Sequence, residues 1–375
     1  MAGNLALAYR RSPRRTTFIG ITGSAGKSTA KELLYKVLSS TYRGTRTSGS
    51  ANRLGQVVQT ISRTHPLHRF SIIEMGASGP DSLDQLIRYS RPNIGIVLTV
   101  GLDHFKAFRN KDAVAREKAK LVQTLPPDGC AILNADDPLV ADMAKHTRAR
   151  VIKFGEHPEA DIRYRNAVSQ WPDRLSFDLI INSDEYPVIT QLCGTHWMPS
   201  ILGAVGAGIV MDIPIEKIVT AVEEFGPMRG RMSPLAINGT TFIRDDWKAP
   251  YWSINHTMEF MKTAKADRKI FICGTLSDYP GAASRKYRVV AGNAMKFADL
   301  VIFIGPNAPF VIKKGGQSTN PGLKYFTSIT DARSYLSSEL KSGDLVILKG
   351  SGRTDKLEKL IVKPTETQPD FHAAL

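Results

Sequence analysis

The sequence predicts an α/β fold with two domains, the first built on a mostly parallel sheet and the second smaller and Rossmann-like. The chain has 375 residues, more than one hydrophobic core normally organises. Short apolar runs alternate with longer helical patterns, as in stacked βαβ units on a parallel sheet. The alternation is interrupted near residues 227–231 and then restarts, which indicates a second domain.

The predicted strands are short apolar runs with β-branched residues. In the first domain they lie at residues 17–21, 70–73, 94–98 and 131–133, with a further candidate at 151–154. Residues 160–190 have the pattern of antiparallel strands, and residues 197–226 that of two helices. In the second domain the runs lie at 241–243, 269–272, 300–304 and 345–348. We therefore expect a basic segment at 1–15, a central domain at 16–232 and a C-terminal domain at 233–375.

The composition is that of a globular protein, with 42% hydrophobic and 23% charged residues. No stretch approaches the roughly 20 apolar residues of a membrane span, and no leader pattern precedes residue 17, so we expect a cytoplasmic protein without membrane association. The net charge of +15 is a feature that nucleic-acid-binding proteins also show. Because the basic residues cluster only at 10–15, a surface that attracts small anions is favoured.

Residues 22–29 read T-G-S-A-G-K-S-T between an apolar strand and an amphipathic helix. In a phosphate loop, glycines let backbone N–H groups face phosphates, Lys27 reaches the β- and γ-phosphates, and Ser28 holds Mg²⁺. The expected nucleotide-binding residues of the loop are Gly23, Ser24, Ala25, Gly26, Lys27, Ser28 and Thr29. The alternative is a turn of small residues that caps a helix. Ile21 stands where the general motif has its first glycine, so the loop is a variant form.

Polar residues also follow the other predicted strands of the first domain. They are Glu74, then Asp103 and His104, then Asn134, Asp136 and Asp137. Parallel sheets bind ligands outside the carboxyl ends of their strands. These positions therefore predict a site for a metal or a phosphate at one edge of the sheet.

The variant loop and the motifs that follow it, in order, resemble the Mur ligase superfamily, and most closely its MurF type. The matching segments are A-N-R-L-G at 51–55, E-M-G-A-S-G at 74–79, D-H-F at 103–105, A-R-E-K at 115–118, L-N-A-D-D at 133–137, G-R at 230–231, D-D at 245–246 and K-G-S at 349–351. The resemblance covers the chain from about residue 16 to its end. It implies a phosphate-loop central ATPase domain followed by the C-terminal ligase domain.

The resemblance implies an ATP-dependent ligase that turns a carboxylate into an acyl phosphate and couples it to an amine. It implies Mg²⁺ at two sites, held by Ser28, Glu74, His104 and a carbamylated Lys118. The catalytic set it implies is Lys27, Glu74, His104, Lys118 and Arg231. The alternatives are a helix N-cap for Glu74, a hydrogen-bonded loop residue for His104, a solvated helical residue for Lys118 and a surface residue of a hinge for Arg231.

Further nucleotide contacts are implied for Asn134, Asp137, Asp245 and Arg231, the last at the γ-phosphate after domain closure. Asn and Asp also order turns, which is the alternative for the first three. Trp197 lies in the segment 194–200, which replaces both asparagines of the family's pattern near adenine. Either stacking on the base or core packing explains this tryptophan.

On the amine side the family's pattern after D-D is replaced by W-K-A-P-Y-W at 247–252. The expected substrate residues are Asp246, Trp247, Lys248, Lys349 and Ser351. They suit an acceptor with an acidic or planar group, and a repacked domain interface is the alternative.

Because few residues precede the first predicted strand, we expect the family's N-terminal domain, which binds a uridine nucleotide carrier, to be absent. We therefore expect small-molecule carboxylate and amine substrates other than the UDP-linked muramyl tripeptide. The alternatives are a murein ligase that takes its UDP-binding part from a partner protein, and a nucleotide-dependent protein that binds nucleic acid.

Overall fold

The computed structural model describes residues 15–312 and 320–361, and most of the predicted basic segment lies outside this part of the chain. The described chain divides into two compact units. The first holds the residues up to Val168, then Leu175–Gln191 and Thr195–Gly226, and the second holds Ser169–Arg174, Leu192–Gly194 and the residues from Pro227 onward. The domain limits drawn at 16–232 and 233–375 remain a prediction. No helix in the described ranges has the length and apolar character to span a membrane.

The first unit is built on nine strands. They are β1 Thr17–Thr22, β2 Gly44–Arg46, β3 Phe70–Glu74, β4 Ile94–Val97, β5 Cys130–Asn134, β6 Arg150–Gly155, β7 Ile162–Val168, β8 Ser176–Ile181 and β9 Asp184–Ile189. Their order is β2-β3-β1-β4-β5-β6-β7-β8-β9. Pairing is parallel from β2 to β7 and antiparallel from β7 to β9.

Eight α-helices belong to the described part of this unit. They are α1 Lys27–Ser39, α2 Leu54–Ser62, α3 Ser82–Ser90, α4 Phe105–Phe108, α5 Lys111–Gln123, α6 Pro138–Ala141, α7 Met198–Val210 and α8 Ile215–Glu223. Short 3₁₀ turns lie at Asp142–His146 and Thr195–Trp197. Because β1 lies between β3 and β4, the carboxyl ends of three parallel strands meet at one edge.

Helix α7 lies unusually close to the sheet. A Cβ at Gly203 would approach Leu98 to 2.8 Å, and one at Gly206 would approach Ile132 to 3.0 Å. Ten of its thirteen residues are buried, as expected of a helix that is apolar all round. The opposite face of the sheet is covered by a core that includes Phe18 and Leu121.

The second unit has a six-stranded sheet. Its strands are β10 Ser233–Ile237, β11 Thr240–Asp245, β12 Arg268–Cys273, β13 Leu300–Ile304, β14 Leu323–Phe326 and β15 Asp344–Lys349, in the order β10-β11-β15-β12-β13-β14. Only the β10–β11 pair among these is antiparallel. The helices are α9 Ile254–Thr263, α10 Ala283–Ala294 and α11 Ile329–Glu339, with 3₁₀ turns at Tyr251–Ser253, Ala308–Val311 and Leu357–Leu360. The predicted fold class is confirmed in both units.

Candidate functional site

The predicted phosphate loop connects β1 to α1, and the helix begins at Lys27. Gly26 has a φ of 79°, which favours glycine. A Cβ at Gly26 would also collide with the hydroxyl of Ser200, which donates to the Gly26 carbonyl over 3.2 Å. Both the backbone conformation and the space therefore require glycine here.

The first half of the loop is bonded to the segment after β4. The Ser24 N–H donates to the Thr99 carbonyl (2.9 Å), and the Ala25 N–H to the Thr99 hydroxyl (3.3 Å). The Ser24 hydroxyl donates to Asp103 Oδ1 (2.8 Å). In this conformation the N–H groups of Ser24 and Ala25 hold the loop's shape, and their role towards a nucleotide remains a prediction. The N-terminus of α1 provides partial positive charge beside them.

Lys27 folds back over the loop, where its Nζ donates to the Gly23 carbonyl over 2.5 Å. Ser28 and Thr29 are buried, 4% and 2% exposed. The Ser28 hydroxyl donates to the Ser50 hydroxyl (3.3 Å). The side chain predicted to hold Mg²⁺ thus faces the segment between β2 and α2.

Glu74 ends β3 and is 2% exposed. Its Oε1 accepts from Asn52 Nδ2 (3.3 Å), whereas its buried Oε2 has no hydrogen-bond partner. The alternative of a helix N-cap does not describe this geometry. The carboxylate that binds a helix start is that of Glu117, which accepts from the N–H groups of Asp81 (2.9 Å) and Leu83 (2.7 Å).

Lys118 is fully buried on α5, so it is not the solvated helical lysine of the alternative. Its Nζ has no hydrogen-bond partner and lies 3.6 Å from Asp103 Oδ2. Burial lowers the pKa of Lys118, against the opposite effect of the Asp103 charge. Asp103, a polar residue after a predicted strand for which no individual role was predicted, contacts both this amine and the Ser24 hydroxyl.

His104 is exposed at the start of the short helix α4, with a φ of 50°. Across residues 15–312 and 320–361, no three His, Cys, Asp or Glu side chains group as a metal site. The set of Ser28, Glu74, His104 and Lys118 therefore remains a prediction. Glu74 Oε2 makes no hydrogen bond, and the ammonium of Lys31 lies 3.6 Å from it. A carboxylate oxygen without a hydrogen bond fits a hard cation, which prefers carboxylate oxygens.

Asn134 and Asp137 order turns in this structure, as their alternative states. Asn134 Nδ2 donates to the Leu98 carbonyl over 2.9 Å. Asp137 accepts from the Val100 N–H (2.7 Å) and from the Leu139 N–H at the start of α6 (3.1 Å). Both side chains support the segment after β4 that binds the phosphate loop, and their contact with a nucleotide remains a prediction. Trp197 is 7% exposed, as core packing requires.

In the second unit, Asp245 and Lys349 end the paired strands β11 and β15. Lys349 Nζ donates to Asp245 Oδ2 over 2.6 Å, and the Thr257 hydroxyl donates to the same oxygen over 3.3 Å. Burial raises the pKa of Asp245, and the charge of Lys349 acts in the opposite direction. Asp246 accepts from Arg244 over 2.7 Å through one oxygen, while its other oxygen is buried without a partner.

Two predicted substrate residues, Trp247 and Lys248, are exposed on the second unit, Trp247 by 45%. The guanidinium of Arg231 lies 5.5 Å from the centre of the Trp247 ring, within the range of a cation–π contact. The Ser351 N–H donates to Asp355 Oδ2 over 2.6 Å. Asp355 was not predicted, because its partners are brought together only by the fold.

Comparisons with known proteins identify the family. The Mur ligase middle domain family matches residues 21–208, and the Mur ligase glutamate ligase domain family matches residues 230–352. A UDP-N-acetylmuramoyl-tripeptide–D-alanyl-D-alanine ligase of Mycobacterium bovis is 32% identical over 235 residues, which are 62% of this chain and 46% of the relative. The match thus spans about half the length of this curated relative.

Two solved structures share the fold. MurF from Acinetobacter baumannii has a TM-score of 0.86 at 21% identity, and the match covers 96% of this chain and 79% of the other. MurF from Thermotoga maritima in complex with ADP has a TM-score of 0.83 at 17% identity, over 96% and 82%. Since the two family matches together extend over more than half of the sequence, the chain belongs to the Mur ligase family.

Proposed function

We propose that this chain uses ATP and Mg²⁺ to join a carboxylate to an amine, as an amide ligase. The observation that carries the proposal is the phosphate loop with a buried, partly unpaired Glu74 at the end of the neighbouring strand. A polyphosphate beside a carboxylate needs cations, and the edge of the sheet offers Lys27, the start of α1 and an oxygen suited to a metal.

The proposed reaction has two steps. A carboxylate oxygen of the first substrate attacks the γ-phosphorus, the bond from that phosphorus to the β-phosphate oxygen breaks, and ADP leaves. The amine then attacks the acyl carbon, phosphate leaves, and the amine loses a proton. Lys27 would bind the β- and γ-phosphates and withdraw charge as the transferred phosphoryl group separates. Bound Mg²⁺ would neutralise the phosphate oxygens so that the carboxylate can approach.

Lys118 is proposed to carry a carbamate. Only a neutral amine attacks CO₂, and burial favours that form of Lys118. The Lys118 nitrogen forms a bond to the carbon of CO₂, one C=O double bond becomes a C–O⁻ bond, and a proton leaves the nitrogen. The resulting anion could hold a second Mg²⁺ together with His104. Activity that depends on bicarbonate, and loses this dependence in Lys118→Ala, supports the modification, whereas indifference of the wild type to bicarbonate contradicts it.

The acceptor is proposed to be an amine with an acidic or planar group. Trp247 offers an exposed aromatic face, and Lys248 offers an exposed cation beside it. Asp246, Lys349 and Ser351 are proposed to shape the surface around Trp247 and Lys248. The carboxylate substrate is proposed to differ from the tripeptide named for the relatives.

The experiment is a screen of ADP release against pairs of carboxylates and amines, with product identified by mass. Release that requires both an acid and an amine, and that is lost in Lys27→Ala, supports the ligase. The names of the relatives favour a second candidate, a murein ligase that binds its UDP-linked substrate through a partner; activity restricted to that substrate would select it. Hydrolysis stimulated by DNA without any amine would contradict both.

A further inference from the structure

A fully buried lysine that the proposed reaction does not use lies one helical turn after Lys27. Lys31 is on α1, and its side chain has no exposed surface. Long side chains of this type are rarely buried unless paired. The partners of Lys31 should therefore show what its burial achieves.

The ammonium of Lys31 contacts three separate parts of the first unit. It donates to the Gly49 carbonyl in the segment between β2 and α2. It lies 3.1 Å from Glu32 Oε1 on its own helix and 3.6 Å from Glu74 Oε2 at the end of β3. That Glu74 oxygen is the one that has no hydrogen bond. Lys31 is thus the cation that faces the free side of the carboxylate.

The segment that Lys31 contacts also surrounds Glu74. The Thr47 hydroxyl accepts from the Glu74 N–H (3.0 Å), and Asn52 donates to Glu74 Oε1 (3.3 Å). Between these two residues, Ser50 accepts a hydrogen bond from Ser28 of the phosphate loop (3.3 Å). Displacement of residues 47–53 would therefore change the surroundings of two of the four predicted metal ligands, Ser28 and Glu74, at once.

We propose that Lys31 is a positioning residue, which holds the Glu74 carboxylate and residues 47–53 in the arrangement that binds a divalent cation beside Ser28. The inference rests on the proposed function, in which Mg²⁺ and a nucleotide bind at this loop. Lys31 faces Oε2 of this carboxylate from 3.6 Å, and it acts on the cation site through Glu74 and through its contact with Gly49 in residues 47–53. Its contribution is to metal use, not to phosphate affinity.

Glu32 provides a matched control in the same network. Its side chain is 18% exposed, and its Oε2 accepts a hydrogen bond from Arg46 Nε over 2.6 Å. Glu32 contacts Lys31 but makes no hydrogen bond with Glu74. Glu32→Gln removes one charge beside Lys31 and leaves the contacts from Lys31 to Gly49 and Glu74. A general effect of altered charge in the network would appear in this variant as well.

The experiment measures binding of a fluorescent ATP analogue to the full chain, first in EDTA and then with increasing Mg²⁺. Lys31→Met should keep the affinity measured in EDTA, because Lys27 and the start of α1 remain. The Mg²⁺ concentration for half of the metal-dependent gain should rise about 10- to 100-fold, the usual effect of removing a residue that orients a metal ligand. Glu32→Gln should behave as the wild type. In a Glu74→Gln background, Lys31→Met should add no further change.

Equal loss of affinity with and without Mg²⁺ would assign Lys31 to the general structure of the loop and overturn the proposal. If Lys31→Met does not fold, Lys31→Gln replaces it, because Gln keeps a hydrogen-bond donor for Gly49. The proposal is also overturned if Lys31→Gln shows the Mg²⁺ dependence of the wild type, or if neither variant folds. A wild type without any Mg²⁺-dependent gain would instead show that the proposed function has failed. A wild type that gains with Mg²⁺, beside a Lys31→Met chain that gains equally, would overturn only the role of Lys31.

Discussion

Replacement of Lys118 by Met should increase the stability of the metal-free protein, whereas most substitutions in a folded protein lower it. Met replaces the unbranched stem of the lysine side chain up to Cε and removes a buried amine that has no hydrogen bond. An unsatisfied buried polar group costs about 1–3 kcal/mol, and we expect a gain of this order at pH 7. Asp103 keeps its 2.8 Å bond from Ser24 in the variant.

The pH dependence provides the sharper test. Burial lowers the pKa of Lys118 from its ordinary 10.5, so the folded chain loses this proton at a lower pH than the unfolded chain. Between the two pKa values the unfolded chain binds more protons, and the wild type gains about 1.4 kcal/mol of stability per pH unit from this group. Below the pKa that Lys118 has in the folded chain, the full free-energy cost of burying the charged amine is present. The advantage of Lys118→Met should therefore shrink as the pH rises towards 10.

The assay is urea unfolding in EDTA and CO₂-free buffer from pH 7 to 10. Lys120→Met is the control. Burial lowers the pKa of Lys120, but hydrogen bonds to Asp81, Asp84 and Glu117 outweigh this effect and raise the pKa. The stability that Lys120 contributes is present below pH 10.5 and is lost only above it, so the effect of this variant should be constant across the range. A difference between Lys118→Met and wild type that is equally constant would refute the reasoning.

Three further predictions follow from the geometry of the first and second units. Lys27→Ala should fold normally but lower kcat/KM for ADP release by about 100-fold or more, the scale for losing a group that stabilises developing charge; unchanged kinetics would contradict the role of the loop. Gly26→Ala should lower the free energy of unfolding by about 1–3 kcal/mol, because φ is 79° and the Ser200 hydroxyl fills the space; equal stability in urea would contradict this. Trp247→Ala should raise KM for the amine and leave Tm unchanged, since Trp247 is 45% exposed; a lowered Tm with an unchanged KM would favour packing.

The sequence predicted well those features that depend on neighbouring residues. The phosphate loop is one, because its glycines, its lysine and the start of α1 are contiguous. The strands that lacked a prediction are β2, β10 and β14, and each lies at the edge of a sheet. Edge strands are half covered and carry no continuous apolar run, so their pattern is weak; β10 even contains Pro234, which an edge tolerates.

Residues that act through distant partners were not predictable in this way. Lys31 reads as an ordinary helical lysine, yet it meets Gly49 and Glu74, which are 18 and 43 positions away by their numbers. Asp103 was predicted only as a polar residue after a strand, without a role of its own, whereas the structure places it near both Ser24 and Lys118. Periodicity contains no information on such contacts, since they depend on the order of the strands.

The close packing of α7 on its sheet couples the phosphate loop at Gly26 to the contact between Gly203 and Leu98. Ser200 sits on α7 and touches the phosphate loop at Gly26, while Gly203 of the same helix rests against Leu98. A methyl group added at Gly203 would displace either the Leu98 side chain or the helix, and a shift of the helix would move Ser200 as well. If the loop binds a nucleotide as proposed, we expect the affinity to respond to a change of side-chain volume on α7, a helix that contributes no predicted ligand.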